Sequence, residues 1–235
     1  MAATTSPSSE SARPGVRRSG GGRPELLRFD RGERVLHWVN ATLFAVVMGT
    51  ASALYVPPIS AVVGRRLLVE TIHVWTGLAL PIPILLTLAL RRWGAGFRAD
   101  VRRLNRFSAD DRRWLRTRGR DPFVRNGKFN AGQKLNAAFT GGAILVMLAT
   151  GYIMRWPKPF ALYLRTGATF VHDWIYIGLF VTITGHVLFA LSDAEARQSM
   201  FGGWIGGRWA RKHAPRWYEE VTGEPATTDK ARRRQ

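Results

Sequence analysis

Four histidines carry the first chemical signal in this chain. His172 and His186 stand fourteen residues apart in TFVHDWIYIGLFVTITGHVLFAL, a run that otherwise reads as lipid-soluble helix. Hydrocarbon offers an imidazole no hydrogen-bond partner, so an ionisable group at that depth marks a functional site. Fourteen residues at about 100° each bring the second ring to within roughly 40° of the first, and a rise of about 1.5 Å per residue sets the two ~21 Å apart. They share one helix face, near opposite sides of a hydrocarbon core about 30 Å thick. His37 and His73 fall in two further apolar runs. The fifth histidine, His213 in RKHAPRWYEE, lies in a polar segment and is read as solvated or interfacial.

The elements that must hold these rings follow from charge patterning. Val35–Gly64, Thr71–Leu90, Leu135–Met154 and Trp174–Ser192 contain no Asp, Glu, Lys or Arg and are rich in Leu, Val, Ile, Phe and Ala. Each is long enough to cross a bilayer, for which a helix needs about 20 apolar residues. They predict four spanning helices near 36–56, 67–90, 135–155 and 169–191. Of 35 Lys and Arg, 7 precede the first helix, 14 lie in 91–134, 9 follow the fourth helix, and the two short loops hold only 5. By the positive-inside rule both termini and the 91–134 loop are cytoplasmic, and loops 57–66 and 155–168 are outside. The net charge of +19 is thereby accounted for without nucleic acid. The basic, Trp-containing 91–134 loop is expected against anionic lipid headgroups.

Composition narrows the chemistry further. There is no cysteine, which excludes disulfides, thiolate metal sites, cysteine-ligated iron–sulfur clusters and covalently attached haem. Residues 1–26, rich in Ser, Pro, Gly and Arg without an apolar core, read as a disordered basic tail and not a signal peptide. Residues 221–235 read as a polar basic tail.

With orientation fixed, the histidines sort into two depths: His73 with His172 outside, His37 with His186 inside. Two pairs at two levels suit two bis-histidine b haems stacked across the membrane. A haem that only passes electrons needs both axial positions filled by strong neutral ligands, and the second imidazole nitrogen can be oriented by a hydrogen bond. Gly49, Gly77, Gly142, Gly151, Gly178 and Gly185 could give a flat macrocycle clearance, although glycines in membrane helices more often serve helix packing. Zinc is a poor competitor, since ligands ~21 Å apart cannot share an ion. A proton relay is the stronger rival, but the spans offer few carboxylates, chiefly Glu70 and Asp173 at the outer edge. A non-redox scaffold or transporter is disfavoured by the lack of an inverted repeat or intramembrane substrate charges.

Several stretches carry a resemblance. RFDRGERVLHW before the first helix, KFNAGQKLNA at the start of the third, GYIMRW leaving it, VHDW…GH in the fourth, and HAPRWYEE near the C-terminal end resemble the gamma subunits of respiratory formate dehydrogenases. These belong to a wider di-haem cytochrome b family that also serves nickel–iron hydrogenases. The likeness covers about residues 27–220, a single membrane domain. It implies an all-α, four-helix membrane bundle with two haems b, whose axial ligands fall on His37, His73, His172 and His186. It also implies a quinone site, for menaquinone or ubiquinone, at Asn130, Ala131 and Gly132 beside His186. A quinone carbonyl needs a donor, which an Asn amide or a backbone N–H supplies; read alone, Asn130 is a helix cap. The implied partners are an iron–sulfur beta subunit and a molybdenum or tungsten alpha subunit, in the bacterial inner membrane, in assemblies that can be trimers of heterotrimers. On this reading the chain is an electron-transfer subunit, not itself catalytic. The hydrogenase branch remains the alternative, although residues 193–235 are too polar for the fifth membrane helix usual there.

Overall fold

The computed structural model describes residues 15–90 and 93–226. Two short strands, β1 (Val16–Arg18) and β2 (Pro24–Leu27), precede the first helix and pair antiparallel, with Val16 opposite Leu26. This corrects the tail reading for residues 16–26; residues 1–14 lie outside the described part. Composition misled because a short edge strand needs few apolar residues of its own when a partner covers it. The partner is the C-terminal β3 (Trp204–Gly206), which pairs with β2 so that Leu26 meets Ile205.

The spanning helices begin earlier than hydropathy alone predicts, and in the first and third of them a polar cap fixes the first turn. Asp30 starts α1 (Arg31–Tyr55) through a capping box, accepting from the Glu33 N–H at 2.8 Å while Glu33 accepts from the Asp30 N–H at 2.7 Å. A short α2 (Pro57–Val63) caps the hairpin to the next span. That span is broken into α3 (Arg66–Ala79) and α4 (Ile82–Ala89), where the apolar run predicts one continuous helix. Pro81 and Pro83 explain the break: each lacks an N–H and crowds the carbonyl four residues back. Helices α5 (Ala95–Leu104) and α6 (Ala109–Thr117) follow in the basic loop. Another capping box, Asn130 with Gln133, starts α7 (Ala131–Arg155) four residues ahead of expectation. The last span, α8 (Leu162–Ser192), starts seven residues early, so much of the expected 155–168 loop is helix. Then come α9 (Ala194–Gly202), β3, α10 (Gly207–His213) and α11 (Pro215–Thr222).

Among the described residues four helical spans are long and apolar enough to cross a membrane: α1, the α3–α4 pair, α7 and α8. Most of their side chains are uncovered, including Leu67, Phe189 and Leu145, as lipid-facing surfaces must be. Within the bundle α1 packs on α3 and α7 packs on α8.

The closed hydrophobic core lies instead in a cap at the end of the bundle where both terminal segments meet. Leu26, Ile205, Ala210, Ala214, Trp217 and Tyr218 form it, with Val221 against it; the C-terminal tail therefore begins later than residue 221. Gly203, with φ +86°, ends α9 in a left-handed turn, where a side chain would also strike the Phe29 carbonyl. Arg28 is enclosed beneath this cap, 4.4 Å over the Trp209 ring, and burial lowers its pKa to about 10 in spite of Asp193 and Asp100 nearby.

Ion pairs fasten the 91–134 segment to the cap and to α1. Lys128 bonds Asp100 at 2.5 Å and approaches Glu33 at 3.4 Å, all three side chains being 6–7% exposed. Arg103 bridges Asp100 at 3.1 Å and Glu220 at 2.7 Å, and Lys134 bonds Asp111 at 2.7 Å. Trp114 turns inward over Gly119 and Gly132. The headgroup reading of this loop is thus corrected for Lys128, Lys134, Arg103 and Trp114, which serve internal packing.

Candidate functional site

The topology gathers the four histidines into two pairs at two levels. At the hairpin end His73 of α3 faces His172 of α8, with ring centroids 6.3 Å apart and planes at 70°. At the cap end His37 of α1 faces His186 of α8, at 6.2 Å and 61°. Both α8 histidines lie on one continuous helix, so the levels are ~21 Å apart.

The separations can be tested against an iron between the rings. An imidazole nitrogen sits about 2.0–2.1 Å from a bound metal and a little over 1 Å from its own ring centroid, so two rings on opposite sides of one ion have centroids roughly 6 Å apart. Both pairs meet that requirement, and the rings are too far apart to bond each other. Two ligands alone do not hold a bare ion, and among the described residues no group of three or more His, Cys, Asp or Glu could do so. A porphyrin iron, whose four equatorial positions are already filled, asks for two axial imidazoles only. The residues fit haem.

The pairs differ in what supports them. Thr50 on α1 lies 3.1 Å from His73 Nδ1, and Thr150 on α7 lies 2.9 Å from His172 Nδ1. Each threonine hydroxyl also reaches its own helix carbonyls, Thr50 to Val46 at 2.8 Å and Thr150 to Val146 at 2.7 Å. A hydroxyl has one hydrogen, and with that hydrogen directed to the helix carbonyl, Oγ1 accepts from Nδ1–H. This leaves Nε2 unprotonated and free to ligate. Among the described residues neither His37 nor His186 has such a hydrogen bond; His37 instead lies edge-on to Trp38 at 5.3 Å. Asn40, one turn beyond His37, keeps a buried Oδ1 with no partner.

The expected glycines divide by role. A Cβ on Gly49 would meet nothing within 4 Å, and one on Gly77 only Val47 at 3.9 Å. Gly142 and Gly185 likewise face open space. Gly151 lies against the His172 ring, its Cβ position 3.4 Å from Cε1. Gly178 instead accommodates Phe139 at 3.1 Å, a packing contact.

The Asn130–Gly132 stretch sits at the cap end. Phe139 meets Gly178 across the α7–α8 interface; eight residues farther along α8 is His186, and eight residues back along antiparallel α7 is Ala131, which sets them at one depth. Asn130 spends its side-chain oxygen on the Gln133 N–H at 2.9 Å, leaving its amide hydrogens unspoken for by the cap. Ala131 is fully buried. The Gly132 Cβ position is 2.8 Å from the Trp114 ring edge, so that face is covered by an indole. His213 lies in the cap, stacked on Trp209 at 4.8 Å; partial burial and then Lys212 lower its pKa.

Sequence reasoning missed Thr50, Thr150 and Trp114. A signal for the threonines was present: Gly49-Thr50 and Thr150-Gly151 are adjacent pairs, and each threonine precedes a histidine by 22 or 23 residues across a hairpin.

Comparison with known proteins agrees with this architecture. A family model described as prokaryotic cytochrome b561 matches residues 28–203. A formate dehydrogenase cytochrome b556 subunit of Haemophilus influenzae is 28% identical over 208 residues, 83% of each chain. The cytochrome b556(fdo) subunit of a formate dehydrogenase of Escherichia coli is 26% identical over 211 residues, 85% of this chain and 94% of that one. The nitrate-inducible cytochrome b556(Fdn) subunit of the same organism is 35% identical over 99 residues, 40% of this chain and 45% of its own. With four apolar spans and paired intramembrane histidines inside the matched region, this chain belongs to the prokaryotic cytochrome b561 family of haem-binding membrane helical bundles.

Proposed function

We propose that the chain is the membrane subunit of a formate dehydrogenase complex, carrying electrons from a periplasmic iron–sulfur partner to a quinone near the cytoplasmic face. The observation that carries this reading is the pair of facing histidine couples, 6.3 and 6.2 Å between centroids, at two depths of one bundle. His73 and His172 hold one haem b, His37 and His186 the other. Haem b held by two imidazoles supplies one-electron transfer with no open coordination position. The names of the relatives favour formate over hydrogen as the reductant of the whole complex. Formate oxidation then belongs to a molybdenum or tungsten subunit, reached through the iron–sulfur subunit.

Orientation rests on the excess of Lys and Arg at the cap end, which puts the cap, both termini and residues 91–134 in the cytoplasm of a bacterium, with the hairpins in the periplasm. The chain's own residues then divide the work. The hairpin end accepts electrons, and the cap end delivers them to quinone. There the Asn130 amide donates to a quinone carbonyl at the depth of His186, the Gly132 backbone lies alongside, and the Trp114 indole walls the site. Menaquinone and ubiquinone present the same carbonyl chemistry to these groups.

A reduced-minus-oxidised spectrum with haem quantification tests the reading. Two haems b per chain, both six-coordinate, are expected in the purified complex. One haem, or a five-coordinate spectrum, would sink it. A reporter fused after Gln235 that is active only in the periplasm would reverse the orientation.

A further inference from the structure

The two histidine pairs are nearly equal in separation and unequal in hydrogen bonding. Resting on the proposed two-haem reading, we infer that Thr50 and Thr150 are positioning residues that set the hairpin-end haem at a lower reduction potential than the cap-end haem. Both ligands at that level hold Nδ1 within hydrogen-bond distance of a threonine hydroxyl, at 3.1 and 2.9 Å, and His73 also reaches the Val47 carbonyl. Each hydroxyl is held in place by a carbonyl of its own helix, so the acceptors cannot swing away. The two threonines come from different helices, α1 and α7, and grip ligands on α3 and α8. Symmetric placement of this kind is hard to assign to packing, because a valine would fill the same volume without a polar group in hydrocarbon.

The chemical consequence follows from what the bond does to the ring. An acceptor on Nδ1–H makes the imidazole more electron-rich and its free nitrogen a stronger donor. A stronger donor favours the oxidised metal, and hydrogen bonds around an axial ligand are one of the levers a protein has on haem potential. At the cap end neither ring has an acceptor among the described residues, and the one orphaned oxygen nearby, on Asn40, is unpartnered. One electron leaving the hairpin-end site as the cap-end site gains it is therefore downhill. No proton moves, since Nδ1–H stays on the threonine oxygen in both oxidation states.

The test is a redox titration of the intact purified complex, following the haem absorbance of wild type, Thr50→Val, Thr150→Val, and the conservative Thr50→Ser and Thr150→Ser. Each valine variant should raise the lower-potential wave alone, changing its oxidised-to-reduced ratio at a fixed potential by about threefold, roughly 30 mV at 59 mV per tenfold change for one electron. The double valine variant should shift it further. The serine variants, which keep the acceptor, should titrate as wild type. If a valine variant loses the hairpin-end haem and serine restores it, the orienting bond is established by loss instead of shift. Unchanged waves in valine variants with two six-coordinate haems, or movement of the higher wave only, would overturn the inference. A wild type with a single haem would instead remove the two-haem reading beneath it.

Discussion

The hairpin-end and cap-end pairs have nearly equal centroid separations, 6.3 Å and 6.2 Å. The first is held by hydroxyls inside the apolar bundle. The second is held from outside it, by the 91–134 segment, whose ion pairs anchor the starts of α1 and α7. Equal spacing with unequal support teaches that helix packing alone sets the gap between facing rings, while neighbours decide how each ring is oriented and how strongly it donates. It also separates the two ends mechanically. One end depends on short-range contacts among helices, the other on ion pairs from residues 91–134 and on the cap built by the chain's two terminal segments.

The sharpest way to break the comparison is to remove one ligand. His73→Ala or His172→Ala should eliminate the hairpin-end haem, and His37→Ala or His186→Ala the cap-end haem, each halving haem per chain in a pyridine haemochrome assay. His213→Ala should leave both. Retention of two six-coordinate haems in the His73 variant would dissolve the pairing.

Next in size are the ion pairs at the cap end. Lys128→Ala leaves Asp100 with Arg103 as its remaining cation and takes the buried ammonium away from the Glu33 side chain, a loss of up to roughly 3–5 kcal/mol for breaking a buried pair. Thermal unfolding in detergent should show the cap-end haem bleaching first and well below the hairpin-end one. Simultaneous loss of both would mean that the ends are not mechanically separate.

Gly151→Leu works on the other end. The Cβ position lies 3.4 Å from His172 Cε1, so alanine should be tolerated, while the longer side chain presses on the ring at a cost of about 1–3 kcal/mol. The hairpin-end spectrum alone should broaden or shift.

Smaller again is the effect at Asn130. Losing the amide donor should weaken quinone use about fivefold, near 1 kcal/mol, but Asn130→Ala also removes a cap worth roughly as much. Asn130→Asp keeps the capping oxygen and lacks the donor. Haem reoxidation by a quinone analogue at the wild-type rate and half-saturation in this variant would leave Asn130 as a cap only. Gly132→Val is less informative than the sequence alone suggests, because it displaces Trp114 before it meets any quinone.

The smallest expected effect is with pH. Burial would raise the Asp111 pKa, but the bonds from Lys134 and from Ser108 together bring it below its ordinary value. A carboxylate with a lowered pKa stabilises the fold fully above its unfolded value near pH 4 and loses that contribution as pH falls through the folded one. Melting of the α6–α7 junction, followed by Trp114 fluorescence, should therefore be flat from pH 7 to about 5 and fall below 4. Lys134→Met should flatten the acid limb.

What the sequence determined by itself was whatever depends on long apolar runs and on single-helix periodicity. The four spans are written in long stretches without a charged residue, because the cost of burying charge in lipid forces them into the composition. The depths of His172 and His186 follow from one helical repeat, and those of His37 and His73 from the ends of their runs. Only the tertiary structure decided the rest. The strand at 24–27, on which the strand at 16–18 pairs, is covered because a segment near the far end of the chain supplies its other partner and the Trp217–Tyr218 core, and no local signal encodes that pairing. The Thr50–His73 and Thr150–His172 bonds join different helices, and a threonine in an apolar run is satisfied equally well by its own backbone. Trp114 reads as an interfacial anchor along the chain, whereas the fold lays it across Gly132. Hydropathy is a property of one segment and can be read in order, but a hydrogen bond or a packed indole belongs to two segments and comes into being only when the chain brings them together.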